Sequence, residues 1–469
     1  MLNSKRQWDR GIGTGLIFVL VLALAILLVF ISKLASQQAP TILLPAPPKG
    51  LGQKTELLVD ASDAKHNLKA LTLEVVQDGQ VIHQSNLVIS DRPHRWWKLW
   101  SSGPPSRSHW TVLVGRQVIP TLKEGRATLR VSARNDSWGR FFRGGRSEVA
   151  LDLPVRFAPP QISVMTTQHY INQGGCDMVV FTVSPGTTES GVKVGDNYFP
   201  SFPVKESKPL TRLCLFAFAY NTDPSTVPHV VARDDAGNES QASFTYKVFP
   251  KKFHSDTIDL NKTAGGKFLE NVVPPIMSQT PELQDQGSLI KNFLQINGQL
   301  RQIDAQKLVA LSRQTAPKLL WNGPFLRLPA KTEASFADYR TYVYDGQTVD
   351  HQTHLGFDLA GSEHMPVRAA NDGVVVFAGY LGIYGNAVVI DHGCGVQSLY
   401  GHMSSLAVKE GDAVKKEQEI GRSGQTGLAG GDHLHFTMLL DGVPVNPIEW
   451  WDPHWIQDRI MAKLKEYGG

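Results

Sequence analysis

Five side chains in the last quarter of the chain have types and spacings that could do chemistry: His354 and Asp358 in HLGFD, His402 in YGHM, and His433 and His435 in DHLHF. Zinc that hydrolyses bonds usually keeps three protein ligands of His or carboxylate type and leaves one position to water, whose pKa falls to roughly 7. Four imidazoles and a carboxylate can supply three such ligands and still leave two groups to move protons. That is a complete inventory for hydrolysing an amide bond. Imidazole suits the proton work because its ordinary pKa is about 6.5.

The elements that must position these groups follow from the flanking residues. Leu434, Phe436, Met438 and Leu440 make the HLH stretch a strand. On a strand residues i and i+2 share a face, which aims His433 and His435 into one pocket. One of them could bind metal while its neighbour meets substrate. HLGFD is different, because a spacing of four around Gly356 can be a helix turn or a strand-to-loop corner. Glycine followed by phenylalanine in β-branched surroundings favours the corner. The other histidines, such as His351, His364 and His392, read as surface or satisfied core residues. By spacing alone, five such groups within about 80 residues support a metal site and no more.

From His354 to Trp451 the sequence resembles the lysostaphin-type (LytM) zinc metallopeptidase family, which cleaves peptides in bacterial peptidoglycan. The resemblance runs through HLGFDLAG, VRAANDGVVVFAGYLGIYGNAVVIDHG, LYGHMSSLAVKEGDAVKKEQEIGRSGQTG and DHLHFTMLLDGVPVNPIEW, about a quarter of the chain. It implies that His354, Asp358 and His435 are ligands of Zn2+. It also implies that His402 and His433 flank the metal's open position and the scissile carbonyl, either one serving as general base. The implied fold is a small, mostly antiparallel β structure with the metal in an open groove that an extended peptide can enter.

Two positions depart from the family pattern. Thr437 stands where members often carry Glu after HLHF; facing away from His435's neighbours, it is expected to matter little to the metal. Some members place an upstream tyrosine near the oxyanion, but none of Tyr339, Tyr342 and Tyr344 can be assigned that part. VKEGDAVKKEQEIGRSGQTG also has the phrasing of lipoyl and biotinyl carrier domains; without a lysine turn it reads as β-turns of the enzyme core. The competing functional reading is a non-catalytic LytM-fold scaffold or activator of a cell-wall amidase. Because that branch has usually lost ligands, the intact set of five fits it less well.

The rest of the chain says where this chemistry is placed. A length of 469 residues at 42% hydrophobic content allows about three domains, and a net charge of +4 does not call for a nucleic-acid partner. Residues 12–32 form a nearly uninterrupted apolar run, long enough for a bilayer core that needs about 20 residues. Lys5, Arg6 and Arg10 precede it, so the positive-inside rule puts residues 1–11 in the cytoplasm as a short tail. The run is longer than the core of a cleaved signal peptide, and Lys33-Leu34-Ala35 is a poor cleavage site. A single-pass protein of the inner (cytoplasmic) membrane is expected, with its C-terminal domains periplasmic or extracellular.

Prolines in residues 33–52 suggest an extended spacer. Alternating strand-like segments then give a β-sandwich over 53–157 and an Ig-like β-sandwich over 158–250. Envelope proteins could dock on either sandwich or on the connector that follows. Trp96, Trp97, Trp100 and Trp110 are expected to be buried or at a domain interface, with glycan or membrane contact as the alternative. Cys176 and Cys214 could pair in an oxidising envelope, leaving Cys394 over.

Residues 251–327 read as a helical connector, since Leu289, Phe293, Ile296, Leu300 and Ile303 recur at helical spacing. Its place directly before the hydrolase would let it lie across the groove and restrain the enzyme. The peptidase domain is expected over 328–455 and a C-terminal helix over 456–469. The fold class is thus mainly β, with a transmembrane helix, two sandwiches, a helical connector and an antiparallel-β LytM-type domain.

Overall fold

The computed structural model of the chain describes residues 5–35, 39–89, 106–137 and 144–468. Trp96, Trp97 and Trp100 lie outside them. A helix runs over Lys5–Ala35, and its described side chains, residues 17–32, are apolar and exposed almost throughout. Among the described residues no helix is long and apolar enough to cross a membrane. The chain divides into two compact units: residues 1–159 with 234–238, and residues 160–233 with 239–469.

In the first unit, strand Leu68–Gln77 buries Leu71, Leu73 and Val75 and turns the residues between them outward. That period of two lets one face meet a second sheet. The sheets are Thr41–Leu43, Thr55–Asp63, Ser106–Val114 and, opposite, Gln80–Val88, Leu68–Gln77, Gly125–Asn135, Arg146–Val155. Their facing apolar side chains form one core, against which Trp110 packs. The Pro-rich stretch is only in part a spacer. Thr41–Leu43 is an edge strand on Thr55–Asp63, and Leu51 is fully buried.

The second unit opens with another pair of sheets, built around strands Cys176–Val183 with Thr211–Ala217 and Thr187–Val194 with His229–Asp234. The proposed disulfide is not formed. Cys176 lies opposite Ala217 and Cys214 opposite Val179, so the two residues are offset along neighbouring strands and all three thiols are free and buried. Strand Cys176–Val183 is buried on both faces because the C-terminal helices cover it. From them Lys463 Nζ donates to Asp177 Oδ1 at 2.6 Å, while Glu449 accepts from the Cys176 amide at 2.9 Å. Phe181, Phe216, Phe325, Val388 and Trp450 belong to one continuous core. Sandwich and C-terminal domain are therefore one packed body.

The apolar stripe forms the expected helix, continuous from Leu289–Gln295 through a π turn at Ile296–Leu300 into Arg301–Ser312. Phe293, Ile296 and Leu300 are fully buried, packed against Tyr342 and Ile383 of the C-terminal domain. Two further elements were not expected. Helix Phe268–Gln279 contains Pro274 and Pro275, which read as helix breakers, yet it buries Val272, Val273 and Ile276 in the same core. Strand Ser255–Asp259 pairs in parallel with Asp338–Tyr344. The connector is thus built into the domain it precedes.

That domain is an antiparallel sheet in the order Lys331–Ala334, Phe357–Ala360, Leu434–Leu440, Val396–Met403, Asn386–Gly393, Gly373–Tyr380, Ala413–Val414. Strands Val396–Met403 and Leu434–Leu440 are buried at every position, as suits the centre of a sheet covered on both faces.

Candidate active site

The sheet register assembles the five sequence-predicted residues. Asp358 is the direct cross-strand partner of His435, and Gly401, next to His402, is its partner on the other side. His354 ends strand Gln347–His354 and Phe357 begins the next, so HLGFD is a corner rather than a helix turn. Glycine is needed at that corner. A Cβ on Gly356 would stand 2.6 Å from both His435 Nε2 and Thr437 Oγ1.

His354 Nε2, Asp358 Oδ1 and His435 Nδ1 meet at 2.9 Å, 2.9 Å and 3.1 Å from one another. The outer partners settle which atoms carry protons. His354 Nδ1 must donate to the Ser335 carbonyl at 3.0 Å, which leaves a lone pair on Nε2. Thr437 Oγ1 donates to the Leu355 carbonyl and so accepts from His435 Nε2 at 2.9 Å, leaving a lone pair on Nδ1. Asp358 is held well below the carboxylate range: burial opposes ionisation, but the charge and hydrogen bonds of the neighbouring histidines outweigh it. His435 is pushed down to about 4, chiefly by burial. With both rings neutral, three acceptor atoms therefore face a common point. They repel unless a cation sits there, and bond lengths of about 2.0–2.1 Å to tetrahedral zinc would set them roughly 3.3 Å apart. The donor set fits zinc.

His402 and His433 line the same cavity, of about 240 Å³, their rings 4.8 Å apart. Both donate Nδ1–H to backbone carbonyls, His402 to Thr426 at 2.7 Å and His433 to Gly431 at 2.8 Å, so Nε2 stays available on His402 and on His433 lies 3.5 Å from Asp358 Oδ1. His402 has a φ of 62°, the left-handed region uncommon for such a residue. Its bond to Thr426 holds that conformation, and the Thr426 hydroxyl is itself locked between the Asn386 amide and the Met403 carbonyl. Burial first, then the charges of His433 and His435, hold His402 well below the usual imidazole pKa. For His433 burial acts the same way, but Asp358 at 3.5 Å outweighs it and raises the imidazole. Asp358 thus sets the two histidines apart in proton affinity, an effect that a cation on the same carboxylate would reduce.

A model of peptidase family M23 matches residues 352–447. Residues 352–447 are a peptidase family M23 domain. Over 95 residues the chain is 46% identical to the DD-carboxypeptidase/endopeptidase Mpg of Neisseria meningitidis serogroup B, covering 20% of this chain and 22% of that protein. Over 96 residues it is 42% identical to the peptidoglycan DD-endopeptidase ShyA of Vibrio cholerae, with the same coverage of 20% and 22%. The chain spans about a fifth of the length of these curated relatives. A solved structure, the catalytic domain of lysostaphin from Staphylococcus simulans, is 29% identical and covers 25% of this chain and 90% of that one, at a TM-score of 0.23.

Three residues around the M23 centre were missed in the sequence or misjudged. Thr437 does not face away: as the i+2 neighbour of His435 it shares its face and fixes its tautomer, as the strand period required. Tyr384, in the turn Gly382–Tyr384, packs its ring 5.3 Å from His435. Arg340 donates to Asp358 Oδ2 at 3.0 Å. It lies on strand Asp338–Tyr344, where Asp338, Arg340 and Tyr342 alternate onto the cavity face. That alternation was the available signal, and it also separates Tyr342, which lines the cavity, from Tyr339.

By occupying Oδ2, Arg340 turns Oδ1 toward the two histidines. Arg340→Met, which keeps bulk and removes the charge, is expected to weaken zinc binding about tenfold, the low end for loss of an outer partner of a ligand. Competition with a chromophoric chelator measures this directly; unchanged affinity would show the pair to be incidental.

Proposed function

We propose that the chain is a membrane-anchored zinc metalloendopeptidase that hydrolyses peptide stems or cross-bridges of peptidoglycan. The observation that carries this reading is the convergence of three potential ligand atoms, His354 Nε2, Asp358 Oδ1 and His435 Nδ1, in one cavity lined also by His402 and His433. The name of the Vibrio cholerae relative, a peptidoglycan DD-endopeptidase, supports peptidoglycan as the substrate. The intact set of five supports catalysis over a scaffold role.

His354, Asp358 and His435 would hold zinc, which would supply a Lewis acid and a water of pKa roughly 7. His402 Nε2, with its lone pair free, takes the proton from the attacking water. His433, when protonated, offers an Nε2–H hydrogen bond to the carbonyl oxygen as negative charge develops there and keeps its proton. The proton held by His402 then passes to the leaving amine. The anchor is part of the proposal: Lys5, Arg6 and Arg10 before the apolar run support a cytoplasmic N-terminus, with the domains that follow in the envelope.

The test is digestion of defined cross-linked muropeptides by the full chain, with mass analysis of the products. Conversion of dimers to monomers is expected, lost on chelation, restored by added zinc and absent in His435→Ala. Intact cross-links in every sample, zinc-loaded wild type included, would sink the hydrolase reading. Fractionation of cells tests the anchor, which fails if the intact chain is recovered free of membrane.

A further inference from the structure

The cavity holds two arginines with opposite circumstances. Arg340 is engaged with Asp358, whereas Arg301, the first residue of helix Arg301–Ser312, makes no ion pair among the described residues. Its Nε donates to Asn297 Oδ1 at 2.9 Å. Asn297 is fully buried and donates in turn to Asp350 Oδ2 at 2.7 Å, so the amide cannot swing away. One nitrogen of the guanidinium is thus pinned on a rigid support, no carboxylate among the described residues pairs with the side chain, and Arg301 lines the same cavity as His402, His433 and His435. Tyr384, which packs on His435, lines that cavity with it. A half-buried guanidinium on a cavity wall, pinned at Nε and without a carboxylate partner, is suited to a planar, bidentate anion.

We infer that Arg301 binds a carboxylate of the peptide substrate and selects acidic stems over their amidated counterparts. This deepens the peptidase reading and rests on it. The residue comes from the helical segment upstream of the M23 match, so that segment contributes a substrate contact as well as a wall. Arg301 is a specificity residue here; it moves no proton and touches no ligand of the metal.

The probes are a stem tripeptide with free carboxylates and the same peptide with those carboxylates as carboxamides, titrated calorimetrically into the zinc-loaded full chain. Neither contains a cross-link, so binding is read without turnover. The wild type is expected to favour the carboxylate form about tenfold, the scale of one charge-assisted hydrogen-bonded pair. Arg301→Gln should abolish that preference and leave carboxamide binding unchanged, while Arg301→Lys should keep part of it. A preference that persists in Arg301→Gln, equal weakening of both peptides, or no discrimination by the wild type, including no measurable binding of either, overturns the inference. Failure of the peptidase reading is separable, because it appears as uncut cross-linked dimers alongside intact discrimination.

Discussion

A fragment cut before Leu328 is expected to emerge destabilised, prone to aggregate and less active than the full chain, rather than released from restraint. The removed segment contributes Phe268, Val272, Val273, Ile276, Phe293, Ile296 and Leu300 to a core shared with Tyr342 and Ile383. Fully burying one such side chain is worth about 1.5–3 kcal/mol, and a whole domain is stable by only about 5–15 kcal/mol. Uncovering Tyr342 and Ile383, which those seven side chains bury, therefore takes a large share of that margin. Strand Asp338–Tyr344 would also lose its parallel neighbour and expose an edge. Asp304, buried at the helix and accepting from the Ile383 amide at 2.8 Å, would leave the Gly382–Tyr384 turn unanchored beside His435. Thermal unfolding and specific activity of residues 328–469 against the full chain decide the matter. A cooperative transition at the full chain's temperature together with higher activity would restore the idea of a removable restraint.

The second large effect is expected at His402. Replacing it with alanine should lower kcat about a thousandfold, within the range of 10²–10⁴ for loss of a positioned general base, while zinc affinity stays within about twofold. The reason for the split is geometric. His402 spends Nδ1 on Thr426 and shares no hydrogen bond with the three converging acceptors, so its removal leaves them in place. The same environment predicts the acid limb of the pH profile. Because burial and the adjacent imidazoles hold His402 well below 6.5, its base form persists below that value and the rate should fall only as pH drops through the depressed pKa. A bound cation pushes in the same direction. An acid limb centred at or above 6.5, or parallel loss of zinc and activity in His402→Ala, would assign the base elsewhere.

Much of this site could be read from residue types and local period. HLGFD and DHLHF each place their groups by rules internal to a short segment, a glycine corner and a strand alternation. The same rules explain where the reading failed. Thr437 was misjudged although the period that aligned His433 with His435 also aligns Thr437 with His435. Helix Phe268–Gln279 was hidden by Pro274 and Pro275, whose local cost is outweighed by tertiary burial of Val272, Val273 and Ile276. The disulfide suggestion rested on two cysteines in one sandwich, and strand register, a long-range property, offset them.

By itself the sequence determined the inventory: four imidazoles and one carboxylate, the corner at Gly356, the strands that carry the donors, and a helix with one apolar face. Tertiary structure alone decided what those groups can do. The lone pair facing the site on each imidazole is set by a partner brought in by folding, Ser335 for His354, Thr437 braced on Leu355 for His435, Thr426 for His402 and Gly431 for His433. The two arginines differ for the same reason. Arg340 and Arg301 are alike as residues, and only the fold gives one a carboxylate and sets the other on the cavity wall with an amide partner.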